Sequence, residues 1–310
     1  MCIRDRDIDH VEYDVRVSSI PTVYGEKIVM RLTNKEKLTR DKRELGLSDD
    51  DMKRFDQMLA HPHGIILVTG PTGSGKSTTL YTALSELNRE TVNIVTVEDP
   101  VEANIDGVNQ IQVNPKADMT FASALRSILR QDPDIIMIGE IRDPETAEIA
   151  VQASITGHLV ASTLHTNSTS ASIARLLNMG IEPYLMADAL VGVVAQRLVR
   201  KLCRCKRGRE ATAQEKEELG VNQDEVLTIY EPAGCQLCSQ TGYFGRTAVY
   251  EMMPVTPELR WAITKMQPSS KVKEIAQREG MITLRGSAVR LVREGVTSLE
   301  EMKKIASEED

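Results

Sequence analysis

Aromatic residues are scarce in this chain: three Phe, one Trp and seven Tyr, or 4% of 310 residues. Positive charge is not in excess either, because the formal net charge is −7. Proteins that hold single-stranded nucleic acid stack bases on aromatic rings inside a basic groove. The acidic balance and the missing rings speak against that class. No run of about 18 apolar residues occurs, so nothing reads as a membrane-spanning helix. The longest candidate, 185–199, is broken by Asp188, Gln196 and Arg197. No secretory signal stands at the start. Basic residues do crowd one segment, at Arg197, Arg200, Lys201, Arg204, Lys206, Arg207 and Arg209. They read as a solvated, positively charged helix end and loop.

The chain does carry a phosphate loop. Gly70-Pro71-Thr72-Gly73-Ser74-Gly75-Lys76-Ser77 fits G-x-x-x-x-G-K-[ST], followed by Thr78. An apolar strand-like run, Gly64 to Thr69, precedes it, and a helical run, Thr78 to Leu87, follows it. Strand, glycine loop and helix is the context the motif needs. The glycines let backbone N–H groups close around phosphate oxygens, and the helix start adds partial positive charge. Lys76 reaches the β- and γ-phosphates of ATP, and Ser77 holds Mg²⁺.

From Gly64 onward the pattern alternates between strands, at 65–69, 94–98, 135–139 and 159–164, and helices, at 76–88, 121–131 and 144–155. The strands are apolar without alternation, as in a parallel sheet covered on both faces. An α/β core is expected. Ser48 is expected to cap a helix running to about Leu59, with Asp49, Asp50 and Asp51 in its first turn. Upstream, Val11–Ser18 and Lys27–Leu32 alternate like strands, with a turn over 19–26. Residues 1–6 fit no pattern. The chain reads as a fragment of a longer protein. From about 254 to 306 the pattern is helical, with Gly280 and Gly295 as stops.

Ligands in open α/β sheets sit at the carboxyl edge of the strands. Strand 135–139 ends in Glu140, and strand 94–98 runs into Glu98, Asp99 and Glu102. Strand 159–164 is bracketed by His158 and His165. Alone, each acid could cap a turn and each histidine could be structural. Together beside the phosphate loop, they point to ATP hydrolysis with at least one catalytic carboxylate.

These blocks resemble the GspE/PilB type of secretion and type IV pilus assembly ATPases. Gly70–Thr79 looks like the family's Walker A. Thr96–Glu102 resembles its Asp box, 125–142 its Walker B block, and Thr156–Asn167 its His box. Residues 17–22 and 25–32 look like the end of its second N-terminal domain. The resemblance implies a RecA-like P-loop core, ATP with Mg²⁺, and a homohexamer at the cytoplasmic face of a bacterial inner membrane. Its partners there would be the cytoplasmic domains of platform proteins, with no direct nucleic acid. It implies that Glu102 is the catalytic base and Glu140 the Walker B acid acting on Mg²⁺. His158 and His165 would sense the γ-phosphate, and Arg16 and Arg31 would swing onto the nucleotide. The expected domains are a PAS-like remnant and linker at 1–40, the ATPase at 41–202, a tetracysteine subdomain at 203–240 and a helical domain at 241–310. The function implied is powering pseudopilin or pilin fibre assembly. The alternatives are a competence or retraction-type motor, or a nucleic-acid translocase.

Of the five cysteines, Cys2 stands alone and four form two pairs, Cys203/Cys205 and Cys235/Cys238. In a cytosolic chain, paired cysteines read as metal ligands, and four thiolates suit tetrahedral Zn²⁺. The family pattern is C-x-x-C twice, so the first pair departs by one residue. The resembled retraction ATPases lack this element, which favours the assembly branch. The role expected is structural, since about 40 residues have too little core to fold unaided.

Overall fold

The computed structural model describes residues 2–8, 11–34 and 40–307. It opens with an antiparallel three-stranded sheet: β1 (Cys2–Ile8), β2 (Val11–Thr22) and β3 (Gly25–Asn34). The β2–β3 turn is confined to Val23 and Tyr24, shorter than the expected 19–26, because Ser19–Thr22 continue the pairing. Residues 2–6, which fit no pattern in the sequence, pair along β2.

The core follows as strands and helices in near alternation. Its first half holds α1 (Asp49–Leu59), β4 (Gly64–Thr69), α2 (Lys76–Leu87), β5 (Ile94–Glu98), β6 (Asn109–Gln112), α3 (Phe121–Ile128) and β7 (Ile135–Ile138). Then come α4 (Pro144–Ile155), β8 (Leu159–Leu164), α5 (Thr169–Asn178), α6 (Pro183–Ala189) and β9 (Leu190–Leu202). The alternation breaks where β6 directly follows β5 and where α6 directly follows α5. A small two-stranded excursion holds β10 (Arg207–Glu210), α7 (Ala213–Glu218) and β11 (Thr228–Glu231). The chain ends with β12 (Tyr243–Pro254), α8 (Pro257–Thr264), α9 (Ser269–Arg278), α10 (Leu284–Arg293) and α11 (Leu299–Ala306).

The large sheet has the order β12-β9-β4-β8-β7-β5-β6, parallel except for β12. Every residue of β4, β7 and β8 is buried. The period of two sends them to opposite faces. Ile65, Leu67, Ile136, Ile138 and Val160 pack toward α3–α6, α8 and α9. Ile66, Val68, Ile135, Met137, Leu159 and Ala161 pack toward α1 and α2. That double coverage is why the strands show no polar alternation. The Ser48 hydroxyl caps α1 by accepting from the Asp51 N–H, with the three aspartates in the first turn.

Two readings need correction. The basic segment is not a helix end and loop, because Arg197–Leu202 continue β9 and Arg197 is buried. Several of its charges have specific partners: Arg200 binds Glu301 and lies over the Tyr243 ring, Lys206 lies over Tyr230, and Arg209 pairs with Glu215 and Glu231. Nor does the division at 241 follow the sheet. β12 pairs along β9 as the edge strand, and α8 and α9 share the α3–α6 core. Among the described residues, no helix is long and apolar enough to cross a membrane.

Candidate active site

The loop after β4 turns on backbone that favours glycine, with φ of 151° at Gly70, 81° at Gly73 and 92° at Gly75. A Cβ on Gly70 would fall 2.5 Å from the Gln196 carbonyl oxygen, and one on Gly75 would fall 2.8 Å from Gln196 Nε2. α2 begins without a side-chain cap, so its first N–H groups stay available to an anion. Lys76 Nζ donates to the carbonyls of Gly70 at 2.8 Å and Pro71 at 3.0 Å. Burial draws the Lys76 ammonium below its ordinary pKa, against the pull of Glu140 and Glu102. The Ser74 hydroxyl is buried with no hydrogen-bond partner among the described residues. An uncapped helix start, an ammonium parked on loop carbonyls and an orphaned hydroxyl all fit the phosphates of a nucleotide. Thr72 lies on the loop's exposed rim, and Ser77 and Thr78 follow Lys76 in the first turn of α2.

The strand ends converge here. Glu140 follows β7, and its carboxylate accepts from Arg142 and lies 3.4 Å from His165 Nε2 at the end of β8. Arg142 also reaches Asp99, at 3.6 Å. Gly139 lets β7 close on β5, because a Cβ there would lie 3.3 Å from the Glu98 Cα. Glu102 is half-buried within electrostatic reach of Lys76. His158 is the exception, and its expected place at the γ-phosphate is corrected. It sits at the opposite end of β8 from His165, with Nδ1 2.9 Å from the Ala153 carbonyl oxygen. Six residues of strand span about 20 Å. Arg31 lies exposed on β3, register partner of Arg16. The Arg16 side chain lies outside the described residues.

The sequence pattern assigned Gln196 and Arg197 no place in the site: both stood as breaks in an apolar run, and Arg197 also as part of the basic segment. Gln196 Nε2 donates to the Ser74 carbonyl at 2.9 Å, and its Oε1 accepts from the Thr79 hydroxyl at 2.8 Å. Arg197 donates to the backbone and side-chain oxygens of Asn167. β9 thereby ties the phosphate loop to the segment after His165. Adjacent buried polar residues inside a strand of valines and leucines were the available signal.

Away from this edge, the sulfurs of Cys203, Cys205, Cys235 and Cys238 all lie within 4.8 Å of one another. Three pairs stand 3.8, 3.9 and 3.7 Å apart. Tetrahedral Zn–S bonds of about 2.3 Å would place sulfurs about 3.8 Å apart. The Cys235 and Gly242 N–H groups donate to Cys238 Sγ. The cluster has the geometry of a metal site.

A family model described as "Type II/IV secretion system protein" matches residues 6–304. The chain belongs to that family. Within the family it is 50% identical over 296 residues to the type II secretion system ATPase E of Vibrio cholerae, covering 95% of this chain and 59% of the relative. It is 50% identical over 295 residues to the type IV pilus assembly ATPase PilB of Myxococcus xanthus, covering 94% of this chain and 52% of the relative. The chain thus spans a little over half the length of these curated relatives. A crystal structure of the pilus retraction motor PilT with bound ADP superposes with a TM-score of 0.71 at 27% identity, over 98% of this chain and 77% of that one. The Legionella pneumophila ATPase DotB shares the fold, with a TM-score of 0.71 at 22% identity over 99% of this chain and 76% of that one. This family member has the RecA-like P-loop fold.

Proposed function

We propose that this chain is the motor part of an ATPase that hydrolyses ATP to drive assembly of pseudopilin or pilin fibres. The reading is supported by Glu140 and Glu102 lying within electrostatic reach of Lys76, with His165 Nε2 3.4 Å from Glu140. Lys76 and the loop amides of Gly70–Thr78 bind the triphosphate, and Ser77 and Glu140 hold Mg²⁺. Glu102 accepts the proton of the attacking water. His165, bound to Glu140, senses the γ-phosphate. Arg16 and Arg31 approach the nucleotide from the three-stranded sheet and supply positive charge, worth about 10³–10⁵ in rate in phosphoryl transfer generally.

The working form is a homohexamer on the cytoplasmic face of the inner membrane, bound to platform proteins. The exposed apolar side chains of Ile28, Met30 and Leu32 on β3 support contact with another subunit. Zn²⁺ at the four cysteines holds the excursion between β9 and β12 together. That element favours assembly over retraction, since the resembled retraction motors lack it. The domains follow as a remnant at 1–40, the ATPase core, the tetracysteine subdomain at 203–240 and C-terminal helices.

Phosphate release from ATP tests the reading. The assembled protein turns over ATP without stimulation by single-stranded DNA. E102Q keeps nucleotide binding and loses about 10²–10⁴ in turnover. Turnover that needs single-stranded DNA would instead support a translocase, and an undiminished E102Q would remove Glu102 as the base.

A further inference from the structure

The mechanism leaves one buried polar cluster unused. Glu98, at the end of β5, is 4% exposed and has no cation beside it among its hydrogen-bond partners. Its Oε1 accepts from the Thr96 hydroxyl at 2.6 Å and from Gln110 Nε2 at 3.1 Å. Its Oε2 accepts from the Tyr81 hydroxyl. Tyr81 is 1% exposed on α2. Its phenol oxygen in turn accepts from the Glu102 N–H at 3.1 Å. Burial, and then the Glu98 charge, hold the phenol well above its ordinary pKa, so it keeps its proton.

These bonds have one direction. A phenol has one O–H to donate, and its acceptor here is the Glu98 carboxylate. The oxygen's lone pairs are left for the Glu102 N–H. The chain runs Glu102 N–H to Tyr81 O–H to Glu98, and each bond polarises the next. Gln110 fixes the same loop further on, donating to the Ala103 carbonyl at 3.0 Å and accepting from the Ile105 N–H at 2.7 Å. The loop that carries Glu102 is therefore clamped at its backbone.

The clamp stands on the phosphate-binding helix itself. Tyr81 follows Lys76 by five residues in α2, about 7.5 Å along one rigid helix. It follows Ser77 by four, so the two share a face. We propose that Tyr81 is a positioning residue for hydrolysis, setting the distance from Glu102 to the γ-phosphate by bonding the Glu102 backbone to the helix whose start holds that phosphate. The proposal rests on Glu102 being the base. Tyr81 is buried beneath the loop and acts through Glu102.

The test is a double-mutant cycle in the assembled full-length protein, reading kcat, KM for ATP, nucleotide affinity and melting temperature. Y81F lowers kcat about 10–100-fold, the scale of a misplaced catalytic group, with KM and nucleotide affinity within about twofold. The Y81F/E102Q double variant is no slower than E102Q alone. Wild-type kcat in Y81F beside an inactive E102Q would overturn the proposal and leave the base assignment standing. Losses that multiply in the double variant would overturn it too. An active E102Q would overturn the base assignment, and the proposal with it. Amide exchange in the wild type reads the clamp independently of whether Y81F folds. The Glu102 N–H exchanges slowly, and exchange at the rate of a free peptide would overturn the clamp.

Discussion

His165 Nε2 lies 3.4 Å from Glu140 Oε2, joining the carboxyl ends of neighbouring parallel strands β8 and β7. The Glu140 side chain is only 16% exposed and also accepts from Arg142, which in turn reaches Asp99 beyond β5. Three strand ends are thereby joined through one carboxylate. Any shift of β8 relative to β7 would move Glu140, the acid closest in electrostatic effect to Lys76.

Replacing that acid separates chemistry from binding. Glu140→Gln keeps the shape and loses the charge. Turnover should fall about 10²–10³-fold, the scale of a lost preorganised electrostatic contact. ATP affinity, measured by fluorescent-nucleotide titration, should change only a few-fold, because the loop amides and Lys76 remain. Loss of binding equal to the loss of turnover would mean Glu140 shapes the loop instead.

Gln196 makes the opposite prediction. It bridges the Ser74 carbonyl and the Thr79 hydroxyl, both on the phosphate-binding element, from a different strand. Gln196→Ala takes the donor from the Ser74 carbonyl, at about 1–3 kcal/mol for a buried group left unpaired, and leaves the Thr79 hydroxyl with Tyr250 alone. Nucleotide affinity should fall along with melting temperature, and bound nucleotide should recover part of the lost stability. A variant with wild-type affinity would show that the loop holds its shape without β9.

The parallel core was legible because double burial writes itself as uninterrupted apolar runs. Walker A, Ser48 capping and the ends of β4, β5 and β8 were readable from local chemistry alone. β9 and β12 were not. Gln196, Arg197 and Arg200 interrupt β9 with groups whose partners lie 122, 30 and 101 residues away. No local pattern reports such partners. His158 failed for a related reason: a motif gives sequence order, while a strand of six residues separates its two ends in space. Tyr81 was read as one residue of a helix, because its role is set by Glu98 and Glu102 across the sheet edge.

Metal removal tests the cysteine cluster. One Zn²⁺ per chain should be measured by elemental analysis, and a strong chelator should release it. Structural zinc contributes folding free energy directly. Cys238→Ser should therefore lower the melting temperature and expose the segment from Arg207 to Glu231 to protease. The fold of β4–β8 should survive, since none of its core residues lies in that excursion. A metal-free protein with an unchanged melting temperature would leave the cluster as four thiols.

Glu301 gives a pH-dependent signature of the C-terminal packing. It is buried at the start of α11, and accepts from the Arg200 N–H at 2.9 Å and from its guanidinium at 2.9 and 3.1 Å. Lys304 adds a bond at 2.8 Å. Burial opposes its ionisation, but Arg200 and Lys304 prevail and hold the carboxyl down at about 2, below the ordinary 4.5. A depressed carboxyl stabilises the fold above its unfolded pKa, and that contribution fades as pH falls toward its folded pKa. The stability of wild type over E301Q, of order 1–3 kcal/mol, should be complete at pH 6 to 7. It should shrink below about pH 4.5 and vanish near pH 2. Urea unfolding followed by α-helix signal at stepped pH reads the gap between the two proteins. A gap that stays constant from pH 7 to 3 would mean that Glu301 contributes by packing and not by its charge on β9.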